Sequence, residues 1–164
     1  MKLRMKKENL KQKILNSKSK RQPVFIAKCW QQVKLDTMNQ DLEKNKNSAI
    51  EFYKMSYEGN PLEAVELYVG NEYIQHNPLV GDGKQPFIEY FGKMAKEYPN
   101  KSINFVRAVA EGNLVALHTH QKWPGDEEYV TMDFFRFDDN GKIVEHWDSM
   151  QQIPKESANG NTMY

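Results

Sequence analysis

The spacing of apolar residues predicts two consecutive helices near the start of a folded domain. Apolar side chains recur at helical intervals up to a glycine, Gly59, that is typical of a helix end. A second helix is expected directly afterwards, with Asn60 as its cap and Pro61 in its first turn, where the missing N–H of proline costs nothing. The first of these helices is marked by Leu42, Ala49, Ile50, Tyr53 and Tyr57.

A third helix and an irregular segment are predicted before residue 100. Residues 73–78 are expected to form a loop or a short strand, because Pro78 holds the preceding residue in an extended conformation. The third helix begins around Pro86 and stops before Pro99.

After Pro99 the apolar pattern changes to an alternation of period two, which is typical of strands with one buried face. The turn sequence before the last strand contains Asn140 and Gly141, a strong hairpin signal. Three helices before an antiparallel meander predict an α+β domain with helices on one face of a curved sheet. The predicted strands lie near residues 102–110, 113–122, 128–137 and 142–151.

The charged residues divide the chain into a basic and an acidic part. Residues 1–46 carry 13 Lys or Arg and 4 Asp or Glu, a net charge of +9, whereas the rest carries 10 and 18, a net charge of −8. We therefore expect a basic arm over residues 1–37, partly disordered or helical, a domain over residues 38–153 and a polar tail over residues 154–164.

The sequence allows two functions for the basic arm. Residues 23–34 have apolar side chains at helical spacing, as expected for a short helix that rests on the domain or on a second copy. A basic helix that binds a membrane or a nucleic acid is the alternative, and nucleic-acid binding would be salt-sensitive and lost on deleting residues 1–37. We expect neither partner, because the domain itself is acidic.

Several classes of protein are excluded by composition. A single cysteine, Cys29, cannot form an internal disulfide or a cysteine-based zinc site. No apolar run approaches the length of a membrane span, and the basic start lacks the apolar core of a signal peptide. We therefore expect a cytoplasmic protein.

The alternation of side chains along the strands suggests where chemistry could be placed. Parity within each strand would allow three histidines and two aspartates to line one concave face, although pairing between strands is not visible in the sequence. Such groups are costly on central strands unless they are hydrogen-bonded or solvated. They could form a pocket of general acids and bases, a satisfied polar network, or an outer face in water. These residues are His118, His120, Asp133, His146 and Asp148.

A metal site is the other chemistry that this pattern could support. His118 and His120 place two imidazoles on one strand face, as several metal sites do. The glutamate that would extend this pair into a known β-barrel metal motif is missing, since Pro124 and Gly125 occupy the required positions. We expect no metal and no other cofactor.

Three segments of the chain resemble the SnoaL-like branch of the nuclear-transport-factor-2-like superfamily. The resemblance covers roughly residues 40–153, and the tail is similar to chain ends in a bacterial subgroup labelled as predicted aldol-condensation enzymes. The segments are Tyr73-Ile74-Gln75-His76-Asn77-Pro78, Asp133-Phe134-Phe135-Arg136-Phe137 and Gly141-Lys142-Ile143-Val144-Glu145-His146-Trp147-Asp148.

The resemblance implies a cystatin-like cone, in which three helices and a bent antiparallel sheet enclose one pocket. It also implies a homodimer and catalysis without metal or organic cofactor. Polyketide cyclases of this family use an aspartate as acid and base, and Asp133 matches that position, with His118 or His120 as the nearest choice for the histidine beside it. Ketosteroid isomerases, similar in fold, have a carboxylate where this chain has Asn77, so His76 could supply a proton or simply hydrogen-bond the loop.

The sequence therefore suggests proton transfer next to the carbonyl of a small substrate, as in an aldol-type cyclase, a lyase or an isomerase. Whether the protein is an enzyme at all is left open by the sequence. The alternative is a small-molecule-binding or dimerisation module of the same fold. Side chains expected to bind the substrate are Tyr73, Asn77, Trp123, Phe135, His146 and Asp148.

Overall fold

The computed structural model describes the backbone of residues 2–125 and 127–164, and the side chains of residues 28, 30–125 and 127–164. It divides into two compact units, residues 1–40 and residues 41–164. The first unit is helical from Lys2, and the side chains of the predicted apolar segment 23–34 lie mostly outside the described residues. Where side chains of this unit are described, they are exposed.

The second unit contains the end of α1, two further helices and five strands. The elements are α1 (Lys2–Tyr57), α2 (Pro61–Tyr68), β1 (Val69–Gln75), α3 (Lys84–Glu97), β2 (Ser102–Glu111), β3 (Leu114–Lys122), β4 (Glu128–Phe137) and β5 (Ile143–Gln152). The α+β class and the four predicted strands of the meander are confirmed. Among the described residues, no helix has the length and the apolar character that crossing a membrane requires.

The helix boundaries follow local signals in the sequence. Gly59, with φ of 97°, adopts a left-handed conformation that suits glycine, and Pro61 opens α2 as predicted. Asn60 occupies the cap position, but its side chain makes no capping hydrogen bond. The third helix begins at Lys84, two residues before the predicted Pro86.

The five strands form one sheet in the order β1-β5-β4-β3-β2. All neighbours are antiparallel except β1 and β5, which are parallel. The segment expected to be a loop or short strand is thus partly β1, an edge strand that carries Tyr73 and Gln75 next to β5.

An aromatic core joins the helices to the inner face of the sheet. The Phe52 ring of α1 stacks on Phe87 of α3 with 5.1 Å between centroids, and it contacts Phe135 of β4 edge-on at 6.0 Å. Phe52 and Phe135 are both buried, and Tyr73 of β1 packs against the same cluster. Burial of these rings is the main stabilising contribution to the domain and fixes the face on which polar groups become enclosed.

Candidate active site

The register of the strands divides the polar residues of the sheet into an inner and an outer set. Asp133 on β4 lies opposite Leu117 on β3 and Asp148 on β5, and all three side chains face the helices. His118 lies opposite Met132, one position further along, so these two point to the outer face. The inner face therefore contains Asp133, His146 and Asp148 together.

Asp133 is fully enclosed and is held by two neighbours. Its exposed fraction is 0%. Thr131 donates a short hydrogen bond to Oδ2, and His146 Nε2 lies 3.2 Å from Oδ1. Thr131 in turn contacts the hydroxyl of Thr119 at 2.6 Å. This network supplies the partners that a buried carboxyl group needs.

His146 is the link between Asp133 and the loop that follows β1. Its Nδ1 lies 3.0 Å from Gln75 Oε1, and its ring packs on Phe135 at 4.6 Å between centroids. Gln75 Oε1 also accepts the backbone N–H of Asn77, and its Nε2 donates to the hydroxyl of Tyr73. Both ring nitrogens of His146 are therefore in hydrogen-bond contact with protein atoms.

Asp148 is half-buried beside this pair. The side-chain amide of Asn77 donates to Asp148 Oδ2 at 2.7 Å. Burial raises the pKa of the Asp148 carboxyl, and the charge of Asp133 adds to the rise, whereas His146 and the Asn77 hydrogen bond oppose it. Asp148 thus keeps its proton to a higher pH than an ordinary aspartate.

A small cavity lies in front of these groups, with a volume of about 30 Å³. This space accommodates about two water molecules. Its lining includes three tyrosines, and burial raises the pKa of each of them, so their hydroxyl groups stay protonated. The lining side chains include Tyr53, Tyr57, Gln75, Asn77, Tyr90, Trp123, His146, Asp148 and Met150.

The residues expected to bind substrate divide into two groups. Asn77, Trp123, His146 and Asp148 line the cavity. Tyr73 and Phe135 do not, because both are part of the aromatic core.

The expected partnership of His118 or His120 with Asp133 is wrong, because the strand register directs both histidines to the outer face. Arg107 donates to His118 Nδ1, and His118 Nε2 donates to the carbonyl of Met163 at 3.1 Å. The ring of His120 stacks on Tyr164 at 3.8 Å. The polar tail, expected to lack packing of its own, thus contacts the sheet through its last two residues.

Two outer-face carboxylates are held by histidines. His120 Nε2 lies 2.6 Å from Glu128, and this hydrogen bond lowers the pKa of the glutamate. His76 contacts Glu145 at 2.8 Å and stacks on Trp147 at 4.9 Å. The structure therefore does not bring His76 to Asp133, and the second of its two expected roles, fixing the loop by a hydrogen bond, agrees with this position.

Several polar residues of the inner face are not among those predicted from the sequence. Gln121 accepts hydrogen bonds from Tyr57 and Trp123 and donates to Tyr53. Thr131 hydrogen-bonds Asp133, and Gln75 hydrogen-bonds His146. The alternation along β4 could have indicated Thr131, because Thr131 lies two residues before Asp133 and therefore shares its face.

The inner set could also offer ligands to a divalent cation. One ligand atom from each of Asp133, His146 and Asp148 lies within 4.8 Å of the others. Carboxylate and imidazole donors suit such an ion. His146 Nε2 and Asp133 Oδ1 already contact each other, however, and Asp148 Oδ2 accepts a hydrogen bond from Asn77. A cation bound through these atoms would have to replace both contacts.

Residues 49–146, more than half of the chain, match the SnoaL-like domain. The chain belongs to the SnoaL-like domain family. This family assignment agrees with the order of helices and strands and places the fold in the nuclear-transport-factor-2-like superfamily. No curated protein sequence matches the chain.

Several solved structures share the fold at low sequence identity. IdmH of Streptomyces antibioticus, a proposed polyketide cyclase, is 18% identical with a TM-score of 0.55, over 65% of this chain and 91% of its own. A proposed polyketide cyclase of Bacillus cereus is 16% identical with a TM-score of 0.58, over 66% and 74%. A proposed ketosteroid isomerase of Kribbella flavida is 19% identical with a TM-score of 0.56, over 71% and 84%.

The raised pKa of Asp148 predicts a pH-dependent stability. A carboxyl whose pKa is raised by folding stabilises the native state below its unfolded pKa of about 4, and this contribution is lost as the pH rises through the folded pKa. In the variant Asp148→Asn this loss should disappear. We expect the thermal midpoint of the wild type to fall relative to that of the variant as the pH rises above about 4. Exposed Asp139→Asn should follow the wild type, and a constant difference between Asp148→Asn and wild type would contradict the assignment.

Proposed function

We propose that this SnoaL-like protein transfers a proton at the carbon next to the carbonyl of a small substrate, as a cyclase, lyase or isomerase acting without a metal ion. The observation that supports this most is a half-buried carboxyl of raised pKa, Asp148, that lines a cavity directly in front of the buried Asp133 and His146. Groups with perturbed pKa values in a cavity are typical of active sites.

Asp148 is the group that we assign as the base. Asp133 matches the aspartate of family cyclases, but it does not line the cavity, and Thr131 and His146 cover its two oxygens. Among the residues that the structure describes, Asn77 is the one hydrogen-bond partner of Asp148 and contacts Oδ2, so the other oxygen can receive a proton. A raised pKa brings the carboxylate closer to the working pH and makes it a stronger base.

The tyrosines of the cavity provide donors for the negative charge that forms on the substrate oxygen. Burial raises the pKa of Tyr90, and the charge of Asp148 adds to this effect, so the phenol remains a hydrogen-bond donor. Tyr53 accepts a hydrogen bond from Gln121 and keeps its own proton for a second partner. A fixed donor aimed at a developing enolate oxygen stabilises the transition state strongly, because little water is present.

Asp133 and His146 lie behind Asp148 and act on it through charge. Positive charge on His146 lowers the pKa of Asp148, whereas the charge of Asp133 raises it. Their contact at 3.2 Å lets the two effects offset each other while Asp148 gains and returns its proton.

Access to the cavity requires a movement at its rim. The cavity volume of about 30 Å³ is well below the roughly 300–1,000 Å³ that is typical of ligand pockets. Met150 is 40% exposed, more than any other lining side chain, so it can change rotamer most easily. The small volume limits a bound ligand as much as a substrate, so of the two non-enzymatic alternatives it favours a dimerisation module over a small-molecule-binding module. The homodimer, the cytoplasmic location and the absence of a nucleic-acid partner stay predictions.

The proposal is tested by proton exchange. The full chain is incubated in D₂O with a panel of small β-keto esters, β-diketones and cyclic ketones, and NMR follows the loss of the α-proton signal. We expect at least one compound to exchange faster than with buffer alone, because Asp148 removes the proton reversibly. The outer-face variant His118→Asn should exchange at the wild-type rate.

Two outcomes would contradict the proposal. Binding of panel compounds without exchange would favour the binding module. Exchange that is abolished by EDTA and restored by Mn²⁺ would assign Asp133, His146 and Asp148 as metal ligands and would overturn metal-independent catalysis.

A further inference from the structure

The orientation of the Gln75 side chain is determined by a backbone group. The N–H of Asn77 can only donate, and it points to Gln75 at 3.0 Å, so the atom that it meets is the amide oxygen. Tyr73 receives the amide nitrogen of the same side chain. The hydroxyl of Tyr73 can accept as well as donate and is compatible with this orientation, which the N–H of Asn77 determines. Oε1 is therefore an acceptor.

This orientation determines the state of His146. Nδ1 of His146 lies 3.0 Å from the same amide oxygen, and two acceptors cannot form a hydrogen bond, so Nδ1 must carry a proton. Nε2 is then the nitrogen that faces Asp133 Oδ1. With Nδ1 protonated, the hydrogen bond between His146 and Asp133 requires one more proton, on Nε2 or on the carboxyl group.

We propose that Gln75 is a positioning residue that keeps His146 protonated at Nδ1 and thereby keeps a shared proton between His146 and Asp133. The proposal deepens the proposed function, on which its catalytic consequence rests. With the opposite tautomer, Nε2–H would donate to an ionised Asp133 and the pair would carry a full negative charge. A shared proton makes the pair neutral overall, so Asp148 faces less repulsion when it is ionised and ready to act as the base.

The surroundings of Gln75 provide a matched pair of variants. Gln75→Met has a similar length and no acceptor oxygen. Gln75→Glu retains acceptor oxygens, which the N–H of Asn77, the Nδ1–H of His146 and the hydroxyl of Tyr73 can all contact. A merely structural role would predict similar effects of both substitutions, since both change the contact with Tyr73.

The primary measurement is ¹⁵N NMR of the histidine rings in the full chain, which distinguishes protonated from unprotonated nitrogens. We expect Nδ1 of His146 to be protonated in the wild type and in Gln75→Glu, and to be partly or fully unprotonated in Gln75→Met. An unprotonated Nδ1 in the wild type, or an unchanged spectrum in Gln75→Met, would overturn the proposal. This result does not depend on any substrate.

The second measurement is α-proton exchange with a compound that the wild type turns over. We expect kcat to fall about ten- to a hundredfold in Gln75→Met with little change in KM, a part of the roughly 10²–10⁴-fold that acid–base groups supply. Gln75→Glu keeps the acceptor but adds a negative charge near Asp148, so this variant is judged by its ring spectrum and not by kcat. Equal kcat in Gln75→Met and wild type would remove the catalytic role. If the NMR result holds and no compound exchanges, the proposed function fails and the assignment of the proton stands.

Discussion

Replacing Asp148 by Asn is expected to lower the kcat of α-proton exchange by about 10²–10⁴-fold, the range that a positioned base typically contributes. The amide has nearly the same shape and cannot accept the substrate proton as a base. Its contact with Asn77 can be kept by rotating the amide, since Asn77 donates to only one oxygen of the present carboxylate. The fold should persist. Exchange rates from stopped-flow or NMR measure the loss of kcat, and circular dichroism measures whether the fold is retained.

The comparison with Asp133→Asn decides which carboxyl is the base. Asp133 is buried behind Thr131 and His146, so its substitution is expected to lower kcat less than Asp148→Asn and to lower stability more, because an amide there disturbs a closed hydrogen-bond network. Adding formate should restore part of the exchange in Asp148→Ala, where the removed side chain leaves room for a small carboxylate. Exchange retained in Asp148→Asn and lost in Asp133→Asn would contradict our assignment and move the base to Asp133.

The parts of the fold that the sequence predicts well are those determined by local pattern. The four predicted strands of the meander are present, burial alternates along parts of β3 and β4, and the hairpin before β5 contains Gly141 with φ of 72°. The parallel pairing of β1 with β5 joins segments that are about 70 residues apart, and no local pattern indicates such a contact. That pairing is what brings Gln75 and Asn77 to His146 and Asp148.

Only part of the candidate site could be predicted, because its assembly also depends on pairing between distant strands. The alternation of side chains shows which residues of β3 or of β4 share a face. The register between the two strands determines which face of β3 lies beside which face of β4. Asp133 lies opposite Leu117, and a shift of a single residue would have put His118 on its side. His146 and Asp148 were among the expected binding residues, whereas the choice of His118 or His120 depended on an unknown register.

Replacing Phe135 by Ala is expected to destabilise the domain by about 3–5 kcal/mol, the usual cost of removing a buried phenylalanine. Phe135 is only 1% exposed, and its ring contacts Phe52 and Tyr53 edge-on, each at 6.0 Å between centroids. It also supports the ring of His146 from behind. The stability of a domain of this kind is about 5–15 kcal/mol, so the loss is a large fraction of it.

The neighbouring residue provides the control for this prediction, because it has the same side chain on the opposite face of the same strand. Phe134 is 47% exposed and lies outside the aromatic core, so Phe134→Ala is expected to change the free energy of unfolding by less than about 1 kcal/mol. Urea unfolding measures both, with the midpoint shifting and the slope preserved. If Phe135→Ala is already unfolded in buffer, Phe135→Leu should show an intermediate loss. Equal losses for the two alanine variants would mean that the inner face of β4 does not carry the core, and the placement of Asp133 on that face would fail with it.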